Sequence, residues 1–147
     1  GWRQLQKRAV QLGGGVNHRM GLYDAVLIKE NHAAAAGGVR QAVAKARLQN
    51  LDKRVPIFVE TENLDEVQDA LAEGPDRIML DNLDAAAMRQ AVETIRASNQ
   101  TIEIEATGGY TLDTVREAAE TGVDLISIGA LTHSAPALDM SMLFTGK

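Results

Sequence analysis

The sequence has no cysteine, few aromatic residues and no long apolar run, and each absence excludes a class of protein. Without cysteine the 147-residue chain forms neither disulfides nor thiolate metal sites, which fits a reducing cytoplasm. No apolar run approaches the roughly 18 residues that a membrane span needs. An aromatic content of 3% and a net charge of -5 argue against a nucleic-acid surface. We therefore expect a cytoplasmic globular protein that binds neither membranes nor nucleic acid.

Short apolar runs alternate with amphipathic segments along the whole chain. The runs are rich in Ile, Leu and Val and bounded by turn residues, so they are predicted to be buried strands. They are DAVLIKE (24–30), VPIFVET (55–61), DRIMLDN (76–82), TIEIEAT (101–107) and DLISIGA (124–130). Regular alternation of strands and helices predicts βαβ units and one parallel sheet.

Helices are predicted between these strands from apolar spacing and from capping residues. Segments 2–13, 37–50 and 84–98 contain strong helix formers, and Asp84 is a predicted N-cap. Two further helical faces are Leu64, Val67, Ala70 and Leu71, and Leu112, Val115, Ala118 and Ala119. Their predicted boundary residues are Asn63 with Glu66 as a capping box, Thr111 as an N-cap, and Gly74 and Gly122 as left-handed ends.

Nearly every predicted strand is followed by polar or charged residues on its C-terminal side. The five ends are residues 29–32, 60–62, 81–82, 105–109 and 129–133. In parallel α/β folds this edge of the sheet holds the active site. Five polar ends favour a barrel, where all the ends meet at one mouth, although loops are commonly polar for no functional reason.

Two features of these ends suggest an anionic ligand. Gly108-Gly109 and Gly129 follow the last two strands, where backbone N–H groups and a helix N-terminus can bind phosphate. The segment 13–32 (GGGVNHRMGLYDAVLIKENH) gathers His, Arg and Lys beside three glycines. Because the chain is acidic overall, we expect any anion to be bound by such a local cluster of cations.

Four segments follow the order and spacing of quinolinate phosphoribosyltransferases, also called carboxylating nicotinate-nucleotide pyrophosphorylases. They are residues 13–32, VETENLDEV (59–67), RIMLDN (77–82) and ATGGYTLDTVREAAETGVDLISIGALTHSAPALDMS (106–141). The chain resembles this family from Gly1 to Ser141, and NHRMGLYDAVLIKENH and GALTHSAPALDMS are its most specific segments.

The resemblance implies an α/β fold, an incomplete TIM-like (β/α) barrel with about five of the six parallel strands expected for the family. Family members are longer, with an N-terminal sandwich domain and a first barrel strand that ends in Thr-Arg-Lys-Thr. Residues 1–147 are accordingly expected to be the C-terminal catalytic barrel domain, truncated at its N-terminal side. The resemblance implies a homodimer or higher homo-oligomer for the intact enzyme, and we expect little activity from these residues alone.

The implied reaction joins quinolinate to phosphoribosyl pyrophosphate and yields nicotinate mononucleotide, pyrophosphate and CO₂, with Mg²⁺ as cofactor, in NAD biosynthesis. A pyridine with two carboxylates needs rigidly held cations, and an electron-poor ribose needs nearby carboxylates. By resemblance, Lys29, Glu60 and Asp81 are the catalytic residues, and Glu60 and Asp81 are the candidate Mg²⁺ ligands. The substrate-binding residues implied are His18, Arg19, Lys29, Glu60, Asp81, Thr107, Gly108, Gly109, Gly129, Ala130, Leu131 and His133.

Several roles and two alternative functions stay open at this stage. His133 either contacts phosphate or caps its loop, and the roles of His32, Asn31 and Asn82 are undecided. Glu103 and Glu105 are interpreted as structural, with Glu105 facing the barrel interior. One alternative is a related phosphoribosyltransferase for another aromatic acid, as in molybdenum-transport gene clusters. The other is a non-catalytic barrel fragment.

Overall fold

The structure is a computed structural model that describes residues 1–50, 55–98 and 101–146. The helices are α1 (Trp2–Leu12), α2 (Glu30–Ala36), α3 (Val39–Gln49), α4 (Leu64–Glu73), α5 (Ala85–Ala97), α6 (Val115–Ala119) and α7 (Ala130–His133). The strands are β1 (Val26–Ile28), β2 (Ile57–Thr61), β3 (Arg77–Asp81), β4 (Glu103–Thr107) and β5 (Leu125–Ile126). None of the described helices is long and apolar enough to cross a membrane.

The five strands form one parallel sheet in the order β1-β2-β3-β4-β5. Each strand pairs with its predecessor in the chain, as consecutive βαβ units do along a barrel wall. Within the described residues β1 and β5 pair with no further strand, so the sheet is open. The α/β prediction of five parallel strands is confirmed, and every strand is shorter than the segment predicted for it.

The apolar core lies between one face of the sheet and helices α2 to α6. Alternate strand residues face this core and are at most 3% exposed: Ile57, Val59, Ile78, Leu80, Ile104 and Ala106. The helices contribute Val43, Val67, Ala70, Ala91, Ile95 and Ala118, among others. Fully burying a side chain of the size of Val or Ile contributes about 1.5–3 kcal/mol. The other face carries a small apolar cluster of Ala25, Phe58 and Met79, with Leu27 packed against it.

The predicted helix caps at α4 and α5 are confirmed. The side chains of Asn63 and Asp84 each accept a hydrogen bond from the backbone N–H three residues later, at 2.9 and 2.8 Å. Glu66 binds the backbone N–H of the residue before Asn63, at 2.8 Å, so the box closes one residue earlier than predicted. Gly74 ends α4 with φ +58°, as a left-handed end requires. Gly122 also has a positive φ of +92°, but it lies beyond α6, which ends at Ala119 with the right-handed Glu120 as its C-cap.

Two details of the helix prediction are wrong. Thr111 is not an N-cap, because α6 begins at Val115 after Thr114, and residues 111–114 form a separate turn. Leu112 is 94% exposed and so takes no part in the buried face of this helix. Helix α2 was not predicted, since its residues were interpreted as the polar end of β1.

Helix α1 holds the segment 13–24 in place. Arg3 donates to the carbonyl oxygen of Met20, and Lys7 donates to that of His18. The Asp24 carboxylate accepts hydrogen bonds from the backbone N–H groups of Met20 and Gly21, at 2.6 and 2.8 Å, and these bonds lower the pKa of Asp24. His18 and Arg19 are thereby fixed against the sheet before β1 begins.

Candidate active site

The pleat of the sheet places the predicted catalytic residues on the face opposite the main core. Register pairs Glu60 with Met79, Met79 with Glu105, and Asp81 with Thr107, and paired residues share a face. Lys29 follows β1 by one residue and has the same parity as Leu27, which pairs with Phe58 on this face. Lys29, Glu60, Asp81 and Thr107 therefore line up along the carboxyl edge of four neighbouring strands.

Lys29 and Glu60 form an ion pair across this edge, with Nζ and Oε1 2.9 Å apart. The Lys29 side chain is half-buried, with 47% of it exposed, whereas that of Glu60 is only 12% exposed. Because Glu60 already neutralises the Lys29 charge, the partial burial of Lys29 does not require a bound anion. His32 accepts a hydrogen bond from the Lys29 backbone N–H at 3.0 Å, in the manner of a capping box, and so orients the lysine backbone.

Glu60 and Asp81 line one cavity of about 400 Å³ at the carboxyl edge. Its other acidic lining residues are Glu30, Glu62, Glu66 and Asp69. Among the described residues no group of three or more His, Cys, Asp or Glu is arranged to hold a metal ion. Two carboxylates nevertheless fit Mg²⁺, which keeps several waters and commonly binds one or two protein acids together with substrate phosphates.

Thr107, Gly108 and Gly109 line a second, smaller cavity of about 240 Å³ together with Asn82 and Tyr110. Gly108 has φ +145°, a conformation that a side chain rarely permits. The Tyr110 hydroxyl donates to the Met88 sulfur at 3.5 Å. Burial, and to a smaller extent the Asp81 charge, raise the pKa of Tyr110, so its hydroxyl stays protonated at neutral pH.

His18 and Arg19 line a third cavity, of about 370 Å³, between α1, β1 and the end of β5. Leu131 of the second predicted phosphate segment lines the same cavity. Arg19 donates from Nη1 to the carbonyl oxygen of Ala25 at 3.2 Å, which holds the guanidinium near the start of β1. The structure thus brings Arg19 together with Leu131, while Lys29 pairs with Glu60 at the other end of β1.

On the face opposite the main core, His18 packs against Phe58, which also contacts Arg77. Its ring meets Phe58 edge to face, with centroids 5.7 Å apart, and Arg77 lies 4.2 Å from the centre of the same phenyl ring. Arg77 pairs with the fully buried Glu105 at 2.6 Å, and Ser127 donates to the same carboxylate. Glu105 therefore faces the interior, as predicted.

The burial of His18 also sets its charge. Burial is the main reason that the pKa of His18 lies below its ordinary value of 6.5; Glu105 opposes this, and the neighbouring cations Arg77, Lys7 and Arg19 reinforce it. At neutral pH His18 is accordingly an uncharged imidazole. Within the described residues its buried Nε2 has no hydrogen-bond partner, so it is a candidate contact for a ligand in the adjoining cavity.

The segment after β5 folds back on itself. Gly129 and Ala130 begin α7, a helix of four residues, and the Leu131 N–H donates to the carbonyl oxygen of Ile128 at 3.3 Å. The His133 ring packs against Gly129, because a Cβ at position 129 would lie 2.9 Å from its Nε2. His133 also bonds Ser134 Oγ at 2.7 Å, an arrangement that favours its role in shaping the loop.

Sequence reasoning missed three contributors, which the structure places around the predicted residues. His32 and Asn82 were undecided, and Arg77 was not singled out. The i to i+3 spacing of Lys29 and His32 at a helix start could have indicated the cap. The contacts of Arg77 depend on the pairing of β3 with β2 and β4, which spacing alone does not give.

A carboxyl edge that carries acids, a lysine and a glycine turn on a parallel sheet is typical of α/β-barrel proteins that bind phosphorylated ligands. The family itself follows from comparison with known proteins. Residues 1–143 match the family described as quinolinate phosphoribosyl transferase, C-terminal domain. The chain belongs to this family.

Named relatives and solved structures agree with the assignment. A probable carboxylating nicotinate-nucleotide pyrophosphorylase from Synechocystis is 49% identical over 142 residues, which are 97% of this chain and 48% of the relative. One from Bacillus subtilis is 45% identical over the same shares of each chain. The crystal structure of NadC from Streptococcus pyogenes superposes with a TM-score of 0.89 at 39% identity, covering 98% of this chain and 49% of that one. The chain thus spans about half the length of the curated relatives it matches.

Proposed function

We propose that this chain supplies most of the active site of a quinolinate phosphoribosyltransferase. The main support for this proposal is the Lys29–Glu60 ion pair, which lies on the same edge of the sheet as Asp81 and Thr107. In the reaction the quinolinate nitrogen attacks the anomeric carbon of phosphoribosyl pyrophosphate, and pyrophosphate leaves with its bonding electrons. The bond between ring C2 and its carboxylate then breaks to release CO₂, and the electron pair left on C2 takes up a proton from solvent. The products are nicotinate mononucleotide, pyrophosphate and CO₂.

Quinolinate is proposed to contact His18 and Arg19, which lie near the start of β1, and to reach Lys29 just after the end of this three-residue strand. Arg19 suits a bidentate carboxylate contact, and Lys29 supplies a compact charge. His18 contributes a neutral hydrogen bond rather than a charge, because its pKa is lowered by burial. To receive the substrate, Lys29 exchanges part of its contact with Glu60 for a carboxylate of the ligand, which its 47% exposure permits.

Glu60 and Asp81 are proposed to face the ribose. Positive charge develops at the anomeric carbon as pyrophosphate leaves, and carboxylates nearby stabilise it. The same two acids are proposed to hold Mg²⁺, supported by their shared cavity. Bound Mg²⁺ would neutralise charge on the leaving pyrophosphate.

The 5′-phosphate is proposed to bind at Thr107–Gly109 and at Gly129–Leu131. These two segments follow neighbouring strands, since Glu105 pairs with Leu125 and Ala106 with Ile126. Gly108, with φ +145°, allows a close approach of the backbone to an oxyanion. His133 supports this site by packing against Gly129.

Self-association is proposed as well. Segment 134–146 has no regular secondary structure, and its apolar side chains Leu138, Met140, Met142, Leu143 and Phe144 are each at least 77% exposed. Exposed apolar side chains in such number are typical of an interface. Sedimentation of the natural protein at several concentrations measures this, and a monomer throughout would contradict a homodimer.

The activity is tested by following nicotinate mononucleotide formation with the protein as its gene encodes it. Lys29→Met and Asp81→Asn are expected to lower kcat/KM at least about a hundredfold, because each removes a charge that faces the substrates. The matched control is Arg40→Met, which breaks an ion pair of 3.0 Å with Glu73 between α3 and α4. We expect the control to retain wild-type turnover.

A second measurement identifies the acid substrate and the role of the isolated chain. Quinolinate should raise the melting temperature of the protein more than nicotinate or benzoate does, because only quinolinate presents two adjacent carboxylates. Preference for a monocarboxylate would favour a related phosphoribosyltransferase. The 147-residue chain assayed alone is expected to show little turnover, and full activity from it would contradict that expectation.

A further inference from the structure

We propose that Asn82 is a positioning residue that fixes the Asp81 carboxylate relative to the Thr107–Gly109 segment. The inference rests on the proposed function and deepens it. It assigns a role to an uncharged residue that is not among the predicted substrate contacts. Backbone conformation, side-chain contacts and sheet pairing coincide at Asn82 on the carboxyl edge.

The backbone of Asn82 adopts a left-handed conformation. Its φ is +54°, and it is the only non-glycine residue with a positive φ among residues 1–50, 55–98 and 101–146. Asn tolerates this region better than most residues, yet the conformation carries a cost that the surroundings must offset. Such local strain concentrates at functional sites, and here it occurs directly after Asp81.

Asn82 also contacts both halves of the proposed ribose phosphate site. Its Nδ2 donates to Asp81 Oδ1 at 3.2 Å, and its backbone N–H donates to the carbonyl oxygen of Thr107 at 2.9 Å. On the other side, a Cβ added to Gly108 would lie only 2.8 Å from Asn82 Oδ1. The side chain therefore occupies the space beside Gly108 that any larger residue at 108 would need.

These contacts couple two groups with different tasks. Asp81 faces the ribose and the proposed Mg²⁺, whereas Thr107–Gly109 is proposed to bind the 5′-phosphate. Both parts belong to one substrate, so their separation must match the length of the ribose phosphate. A displacement of about 1 Å in such a site lowers the rate about a hundredfold. Asn82 fixes the distance between the Asp81 carboxylate and the Thr107–Gly109 segment through its contacts with both.

The test compares Asn82→Gly with wild type in the complete natural protein. Glycine accepts the left-handed backbone without strain and removes only the amide, and because Asn82 is exposed no cavity is left. We expect kcat/KM for phosphoribosyl pyrophosphate to fall tenfold to a hundredfold, with a raised KM, while the Kd for quinolinate stays within twofold. A purely structural defect would weaken both ligands together.

Matched variants support the comparison. Asn31→Ala is the control, because Asn31 Nδ2 donates to the carboxylate of the preceding Glu30 at 2.9 Å without touching a glycine turn. It should leave both ligands unaffected. Asn82→Asp keeps an oxygen beside Gly108 but cannot donate to Asp81, and it should therefore lose rate as well. If Asn82→Gly does not fold, Asn82→Ala removes the same amide without adding a charge and carries the test.

A variant pair tests the contact without any substrate. Gly108→Ala should lower the melting temperature of the wild-type protein more than that of Asn82→Gly, where the side chain beside position 108 is gone. Equal losses in the two backgrounds would overturn the contact. Wild-type kinetics in Asn82→Gly would overturn the positioning role alone. A wild-type protein that binds no phosphoribosyl pyrophosphate would contradict the proposed function first and the positioning role with it.

Discussion

The two faces of the same five-stranded sheet differ sharply in chemistry. On the face toward the helices, residues such as Ile78, Leu80 and Ile104 are apolar and completely buried. On the opposite face, their immediate neighbours in sequence include Arg77, Asp81 and other charged residues at register-paired positions. Because successive side chains of a strand point to opposite faces, one strand serves both purposes. Stability and the proposed chemistry are therefore separable by single substitutions on β3 and β4.

The largest expected loss of stability comes from truncating a side chain on the core face of the sheet. Ile78→Ala should lower the free energy of unfolding by about 3 kcal/mol, because it removes a fully buried side chain from a packed core. Asp81→Ala, three residues along the same strand on the other face, should change it by less than about 1 kcal/mol. Chemical denaturation of both variants measures the difference, and comparable losses would show that the two faces are not energetically distinct.

The next effect tests whether the face opposite the main core contains buried charged residues that support the fold, below the carboxyl edge. Glu105→Gln should cost about 2 kcal/mol, because it leaves Arg77 without its buried partner at 2.6 Å. Glu103→Gln removes the other carboxylate of Arg77, but that side chain is 53% exposed, and the loss should stay below about 0.5 kcal/mol. If Glu103→Gln lowered the free energy of unfolding more than Glu105→Gln, the exposed Glu103 would be the more important partner of Arg77.

A smaller effect should appear as a pH dependence of stability. The pKa of His18 in the folded protein lies below its unfolded value of 6.5, so the unfolded chain binds the extra proton first. Stability from this group is complete above about pH 6.5 and is lost as the pH falls through the folded pKa. Melting of wild type and His18→Gln between pH 5 and 8 measures it.

The variant is expected to flatten the decline below pH 6.5. Glu105, Arg77, Lys7 and Arg19 remain in both proteins, so the difference isolates His18. Identical slopes would mean that His18 titrates as it does in the unfolded chain.

The features that the sequence predicts correctly depend on local patterns of residues. Strand positions, the Asp84 and Asn63 caps and the acids at strand ends depend on residues close together in the chain, and the structure confirms these features. The missed features depend on residues far apart in sequence. The left-handed backbone of Asn82 accompanies its contact with Gly108. The lowered pKa of His18 reflects burial beside Phe58 and, to a smaller extent, the charge of Arg77.

The ion pair at the carboxyl edge of the sheet should contribute little to the free energy of unfolding, and this is the smallest effect expected. Lys29→Met breaks an ion pair in which the lysine side chain is half-exposed, so the free energy of unfolding should change by less than about 0.5 kcal/mol, as for Arg40→Met on the helical side. Only Lys29→Met should weaken protection by quinolinate, because only Lys29 stands on the carboxyl edge. If both variants bound quinolinate equally well, Lys29 would be a surface ion-pair residue like Arg40, and the substrate cation would have to be sought in Arg19 alone.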